Sequence, residues 1–278
     1  MSRLRLAVIG HVQHVTVGRV PALPAAGAIV HLETPTWLPG GGGGVAFFQL
    51  TRSDAEVHLF TALGDDACGD SILARLEATG ARVHAVRRAQ PHARDVTMLT
   101  PDGERTIIVV DDPLHPTAAD PLPWDVLDRC DAVFYTAYDP ELIVRARGAR
   151  WLTVTARRKR ALDQSGVRAD LVVGSAHDPQ ERARRCDYAL PPTALVLTEG
   201  ALGGAVETAE GTVRFAAAPT PEDVQGSYGA GDTFAAALTW YAAAGLSPLA
   251  ACAKAAPHGA AVLRGIDPLA SHIDLSHP

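Results

Sequence analysis

Six short runs rich in β-forming apolar residues recur along the chain, at residues 4–9, 57–62, 132–135, 151–154, 171–173 and 194–198. Helical patterns lie between and after them. Residues 70–79 place Ile72, Leu73 and Leu76 on one face and stop at Gly80. A second helix begins after Gly231 and runs to residue 244, with Phe234, Leu238 and Tyr241 on one face and Gly245 as its stop. Strands separated by helices build a mostly parallel sheet covered on both faces, so the fold class is α/β, doubly wound. With 278 residues, 47% of them hydrophobic, the chain can bury a large core and reads as a single domain over 1–278.

Two segments break the alternation. Residues 15–37 mix β-formers with Pro21, Pro24 and Pro35, and residues 95–110, DVTMLTPDGERTIIVV, read as a hairpin turning at Asp102-Gly103. Both are expected to form antiparallel strands in a small β-sheet outside the main layer, drawn from about residues 12–38 and 94–112. A further hairpin joins residues 205–208 to 212–215 through Glu210-Gly211.

A net charge of −6 carries no basic footprint for nucleic acid or an anionic membrane, which leaves a small-molecule ligand. The basic run Arg157-Arg158-Lys159-Arg160 reads as a solvated helix start. Four scattered cysteines with no Cys-x-x-Cys pair read as free thiols in a reducing compartment. No apolar run approaches the roughly 18 residues of a membrane span, and a cytoplasmic location is expected.

Two glycine-rich stretches bear on chemistry. The first, WLPGGGGGVAFF, holds five consecutive glycines, Gly40 to Gly44. It lacks the Lys of a phosphate-binding Walker loop and has Val45 where a dinucleotide fingerprint needs its third glycine. The second, GSYGAGDTFAAAL, sets the flexible turn Gly229-Ala230-Gly231 before a helix opened by Asp232 and Thr233. Unpaired N–H groups and the helix dipole there suit an anion. On spacing alone, Asp232 is either an ordinary N-cap or a base that takes a proton from an alcohol attacking a phosphate.

The second stretch resembles the second signature of the ribokinase-like, or PfkB, family of carbohydrate kinases, with GAGDTF unbroken. LAVIG in the first strand, FTALGDDACGDSILARLEATG, and Leu197-Thr198-Glu199-Gly200 followed by Gly203-Gly204 extend the resemblance over nearly the whole chain. It implies an ATP-dependent kinase with a small β-sheet lid that covers a sugar-like small molecule and can serve as a homodimer interface. It further implies Asp232 as catalytic base, Gly229, Ala230 and Gly231 as anion hole, Thr198, Gly200 and Gly203 along the nucleotide, and Mg²⁺ bridging the phosphates.

The departures from the family pattern cluster at the sugar end. Val15 stands where the family has a sugar-binding Asp, and Val45 where its first signature has Asn. Thr153-Val154-Thr155-Ala156-Arg157 keeps only the arginine of an Asp-x-Asn-x-Arg segment. Ser175-Ala176-His177-Asp178 replaces Asn-x-x-Glu, leaving Asp178 for an indirect, magnesium-side role. Gly226 replaces the Asp that opens the second signature, which argues against activation by a monovalent cation. An apolar side chain cannot read a hydroxyl, so the acceptor is held differently. His11, Gln13, Gly41, Gly42, Val45 and Arg157 are the expected acceptor-side residues, with Phe47 as a further candidate. The glycine run reads as a substrate clamp and lid hinge, followed by helix over residues 45–53. The activity implied is phosphoryl transfer to a sugar or sugar-like alcohol; the alternatives are a nucleoside kinase of the same family and a catalytically silent metabolite sensor.

Overall fold

Residues 3–277 are described in a computed structural model. Leu6, Val8, Leu59 and Phe134 alternate along their strands with Ala7, Ile9, Phe60 and Tyr135, and the two sets enter separate hydrophobic cores. A sheet buried on both faces requires that pattern. Its strands are β1 (Arg5–Ile9), β4 (Glu56–Gly64), β5 (Arg82–Arg88), β8 (Ala132–Tyr135), β9 (Leu152–Thr155), β10 (Leu171–Ser175), β11 (Ala194–Thr198), β12 (Gly204–Thr208) and β13 (Gly211–Phe215). They lie in the order β13-β12-β11-β10-β9-β8-β1-β4-β5. All pairings are parallel except the β11-β12-β13 edge.

One face is covered by α1 (Gly41–Leu50), α2 (Ala67–Glu77), α5 (Ala230–Ala243) and α6 (Pro248–Val262), which contribute Phe47, Ile72, Trp240 and Cys252 to the first core. The other is covered by a 3₁₀ turn at Trp124–Arg129, α3 (Pro140–Ala146) and α4 (Lys159–Ser165), through Leu127, Leu142 and Leu162. A short α7 (Pro268–Ser271) follows α6. The chain leaves β1 for β4 on one side and later returns to β8 on the other. The sheet therefore has a switch point between β1 and β8, where the carboxyl ends of the strands open a crevice.

The small sheet is separate, with β2 (Gln13–Arg19), β3 (Glu33–Gly40), β6 (Arg94–Leu99) and β7 (Arg105–Val109) in the order β3-β2-β6-β7. It is mixed rather than antiparallel throughout: β2 pairs antiparallel with β3, and β6 with β7, but β2 and β6 run parallel. The outer hairpins are local, whereas the central pairing joins distant segments and follows from no turn signal. The first glycine run also differs from expectation. Helix α1 starts at Gly41, not at residue 45, so four glycines form its first turn. All four cysteines are free, and no helix among the described residues is long and apolar enough to cross a membrane.

Candidate active site

The crevice at the switch point is a cavity of about 760 Å³ between the large sheet and the small one. Register decides which side chains of the small sheet enter it. Val15 lies opposite Asp95, which lies opposite Val109; Val17 lies opposite Thr97, which lies opposite Ile107. These residues share one face with Gln13 and Arg105, and Gln13, Asp95, Arg105, Ile107 and Val109 line the cavity.

The two glycine stretches, distant in sequence, meet here. Gly229 adopts φ +81 as the N-cap of α5, a conformation that favours glycine. The Ala230 N–H donates to Ser227 O at 3.3 Å and the Thr233 N–H to Gly229 O at 2.9 Å. Among the described residues, the N–H groups of Gly231 and Asp232 have no acceptor, and a Cβ on Gly231 would meet nothing within 4 Å. Both residues line the cavity, so two free donors at a helix N-terminus face it. Tyr228 accepts the Gly41 N–H at 2.9 Å, and a Cβ on Gly42 would sit 3.1 Å from Asp232 Oδ1. The glycine run thus lies directly across from the carboxylate.

Asp232 is half-buried and its carboxyl is pushed up to about 6, first by burial and then by Glu181, against the opposing charges of Arg105, Arg157 and Arg158. A carboxylate of that strength suits proton abstraction near neutral pH. His11 is buried and held neutral, its pKa pushed down to about 3 by burial and by Arg158. Its Nε2 accepts from the Gly42 N–H at 3.4 Å.

Of the expected residues, His11, Gln13, Gly41, Gly42, Arg157, Asp178, Thr198, Gly229, Gly231 and Asp232 line the cavity. Four do not. Val45 is fully buried in a cluster with Val15, Leu38 and Tyr228, so it packs behind the cavity wall rather than lining it. Ala230 has its N–H occupied by Ser227. Gly200 and Gly203 sit on a 3₁₀ turn beyond β11, and Gly203, at φ +84, is pressed against Phe215 O, a backbone reason for glycine. Phe47 is fully buried in the core beneath α1.

The arginines differ most from expectation. Arg157 faces the cavity but its guanidinium is held by Asp178, by Gln180 at 2.5 Å and by Glu181 at 3.1 Å. Arg158, expected in solvent, is 4% exposed, lies 3.6 Å over the Tyr138 ring and donates to Thr136 O at 2.8 Å. Glu181, missed in the sequence, also accepts from the Ser175 N–H at 2.9 Å and lines the cavity. Asp95 was missed as well, because its place depends on the parallel β2-β6 register. No group of three or more His, Cys, Asp or Glu capable of holding a metal ion occurs among the described residues.

The model of the pfkB family of carbohydrate kinases matches residues 3–191. The chain belongs to the pfkB family. As a pfkB carbohydrate kinase it is a phosphotransferase, although the match ends before Thr198 and the Gly229–Asp232 turn. No curated protein matches the chain. Solved structures similar to this pfkB protein include an adenosine kinase from Sinorhizobium meliloti (18% identity, TM-score 0.79, covering 99% of this chain and 97% of that one). A ribokinase from Arabidopsis thaliana, solved with ribose and ATP, aligns at 19% identity and TM-score 0.74, covering 98% and 96%. A microbiome-derived acarbose kinase aligns at 22% identity and TM-score 0.79, covering 94% and 93%. At these identities the likeness is one of fold.

Proposed function

We propose that this pfkB protein transfers the γ-phosphate of ATP to a hydroxyl of a sugar or sugar-like small molecule, with Asp232 as base. One observation carries the reading: a carboxylate with raised pKa and two unoccupied helix N-terminal N–H groups face the same cavity, across from Gly42. Asp232 takes the proton of the acceptor hydroxyl as its oxygen bonds to the γ-phosphorus. The bond from that phosphorus to the β–γ bridging oxygen breaks, and ADP leaves. The Gly231 and Asp232 N–H groups stabilise charge on the transferring phosphoryl group, a contribution of about 3–4 kcal/mol where such donors have been removed. Positioning and electrostatics supply most of what this reaction needs.

Thr198 would lie along the nucleotide, with Gly174 and Ser175 beside it on the cavity wall. Mg²⁺ bound with the nucleotide would neutralise phosphate charge, and the chain fits a metal held mainly through phosphate oxygens, since Glu181 and Asp178 are the carboxylates on that side and both also engage Arg157. The small sheet acts as a lid over the acceptor.

The test is a phosphate-transfer screen of sugars, polyols and nucleosides with ATP·Mg²⁺, run beside Asp232→Asn. At least one alcohol is turned over by the wild type, and the variant loses about 10²–10⁴ in kcat. Equal ligand binding by both proteins with turnover by neither would make this chain a sensor instead.

A further inference from the structure

Asp95 lies directly opposite Val15, the position at which the family resemblance calls for a sugar-binding carboxylate. Neighbouring strands are about 5 Å apart, so a carboxylate missing from β2 is present one strand over, on the same cavity-facing side. Asp95 is 6% exposed, its Oδ1 has no hydrogen-bond partner, and no Lys or Arg pairs with it among the described residues. Gln13, 4% exposed, starts the same face of β2, and its Nε2 is equally without a partner. Its Oε1 reaches toward the glycine run, 3.0 Å from where a Gly41 Cβ would be. The Gln13 side chain interacts with the Asp95 carboxyl and draws its pKa down against the rise that burial causes, yet Asp95 Oδ1 and Gln13 Nε2 each lack a hydrogen bond of good geometry, and both residues line one cavity, where a ligand completes their bonding.

We propose that Asp95, with Gln13, is the specificity-determining pair of the acceptor site, gripping hydroxyls of a polyol other than the one phosphorylated. Asp95 accepts from these hydroxyls and Gln13 donates to one of them, while Asp232 and the α5 N-terminus act on the reacting hydroxyl. The acceptor is therefore a compound with at least three hydroxyls, and simple mono-alcohols are poor substrates. This inference rests on the kinase reading only for where the reaction occurs, since the pair grips the ligand whether or not a phosphoryl group moves.

The experiment compares wild type, Asp95→Asn and Asp95→Ala on ribose, fructose, myo-inositol, glycerol and adenosine with ATP·Mg²⁺. For the best acceptor, KM rises about 10- to 100-fold in Asp95→Ala, as loss of a hydrogen bond to a charged group implies, while KM for ATP and kcat stay within about 3-fold. A monodeoxy analogue lacking the gripped hydroxyl binds worse to the wild type but no worse than the parent to Asp95→Ala. Circular dichroism of the near-isosteric Asp95→Asn separates loss of contact from loss of fold. An unchanged acceptor KM in both variants, with turnover intact, overturns this inference and leaves the kinase reading standing. If the wild type turns over nothing, the kinase reading fails, and calorimetry of the same alcohols without nucleotide decides the present one. Binding weakened at least about tenfold by Asp95→Ala supports it, whereas equal affinities, or no binding of any polyol to the wild type, overturn it.

Discussion

Asp232 holds its proton up to about pH 6 in the folded protein, against an ordinary value of 3.8. The folded state therefore binds the proton more tightly than the unfolded chain, and the stability this confers is fully present below about pH 4 and lost as pH rises through 6. Replacing Asp232 by Asn, which does not ionise, is expected to raise the melting temperature at pH 7.5 by roughly 2–6 °C, with the gain vanishing near pH 4. Calorimetric scans of both proteins across that range check it, and a variant that melts lower at pH 7.5 would contradict the burial of this charge. Asp95 is also pushed up to about 6 by burial. The acid limb of kcat/KM should then fall with a log–log slope approaching about 2 below pH 6 in the wild type and about 1 in Asp95→Asn. Gly231 separates the proposed anion site from folding. A methyl there meets no protein atom within 4 Å, so Gly231→Ala should fold at least as well as the wild type. By filling the space between two donors it should still cost about 10²–10³ in kcat, measured by steady-state kinetics.

Helix α1 shows why element boundaries were only partly legible. Glycine is a poor helix former by about 1 kcal/mol relative to Ala, so a run of five reads as a loop. Packing overrides that preference: a Cβ on Gly43 would lie 2.6 Å from His11 O, and one on Gly44 2.6 Å from Pro39 O. The glycines let the first turn of α1 press against the end of β1 and the end of β3. Gly43→Ala and Gly44→Ala should accordingly destabilise by about 2 kcal/mol or more, although Ala in an open helix would stabilise, and urea midpoints decide the sign. The buried strands β8 and β11 were legible to the residue because an uninterrupted apolar run has few other places to go. Strand β5, RVHAVRR, was not, because it is an edge strand whose residues are at most half-buried and tolerate three arginines. Helix α6 was hidden by Pro257 within it, a residue that ordinarily ends helices.

At the scale of the molecule, the placing of the GAGD turn at the start of a helix was legible because it depends on local sequence, whereas the facing wall of the cavity is assembled by long-range register and packing. Arg157 could not be seen to meet Asp178 and Glu181, nor Asp95 to stand opposite Val15, without the sheet order. The same holds for the contact between the small sheet and the loop entering α5. A Cβ on Gly226 would lie 2.8 Å from Leu99 Cδ1, and one on Gly103, at the β6-β7 turn, 2.5 Å from Val224 Cγ1. The small sheet is therefore seated on the segment that leads into Gly229 and Asp232, at the position where the family pattern has a carboxylate. Restoring it with Gly226→Asp should force Leu99 aside at about 1–3 kcal/mol, lowering the melting temperature by roughly 3–10 °C. Leu99→Ala alone leaves a cavity and costs about 2–5 kcal/mol. Because each change relieves the other, the double variant should be more stable than the sum of the two by at least about 1 kcal/mol. Strict additivity in that cycle would mean that Leu99 and Gly226 are not in contact in solution, and that the small sheet does not rest on the α5 entry loop.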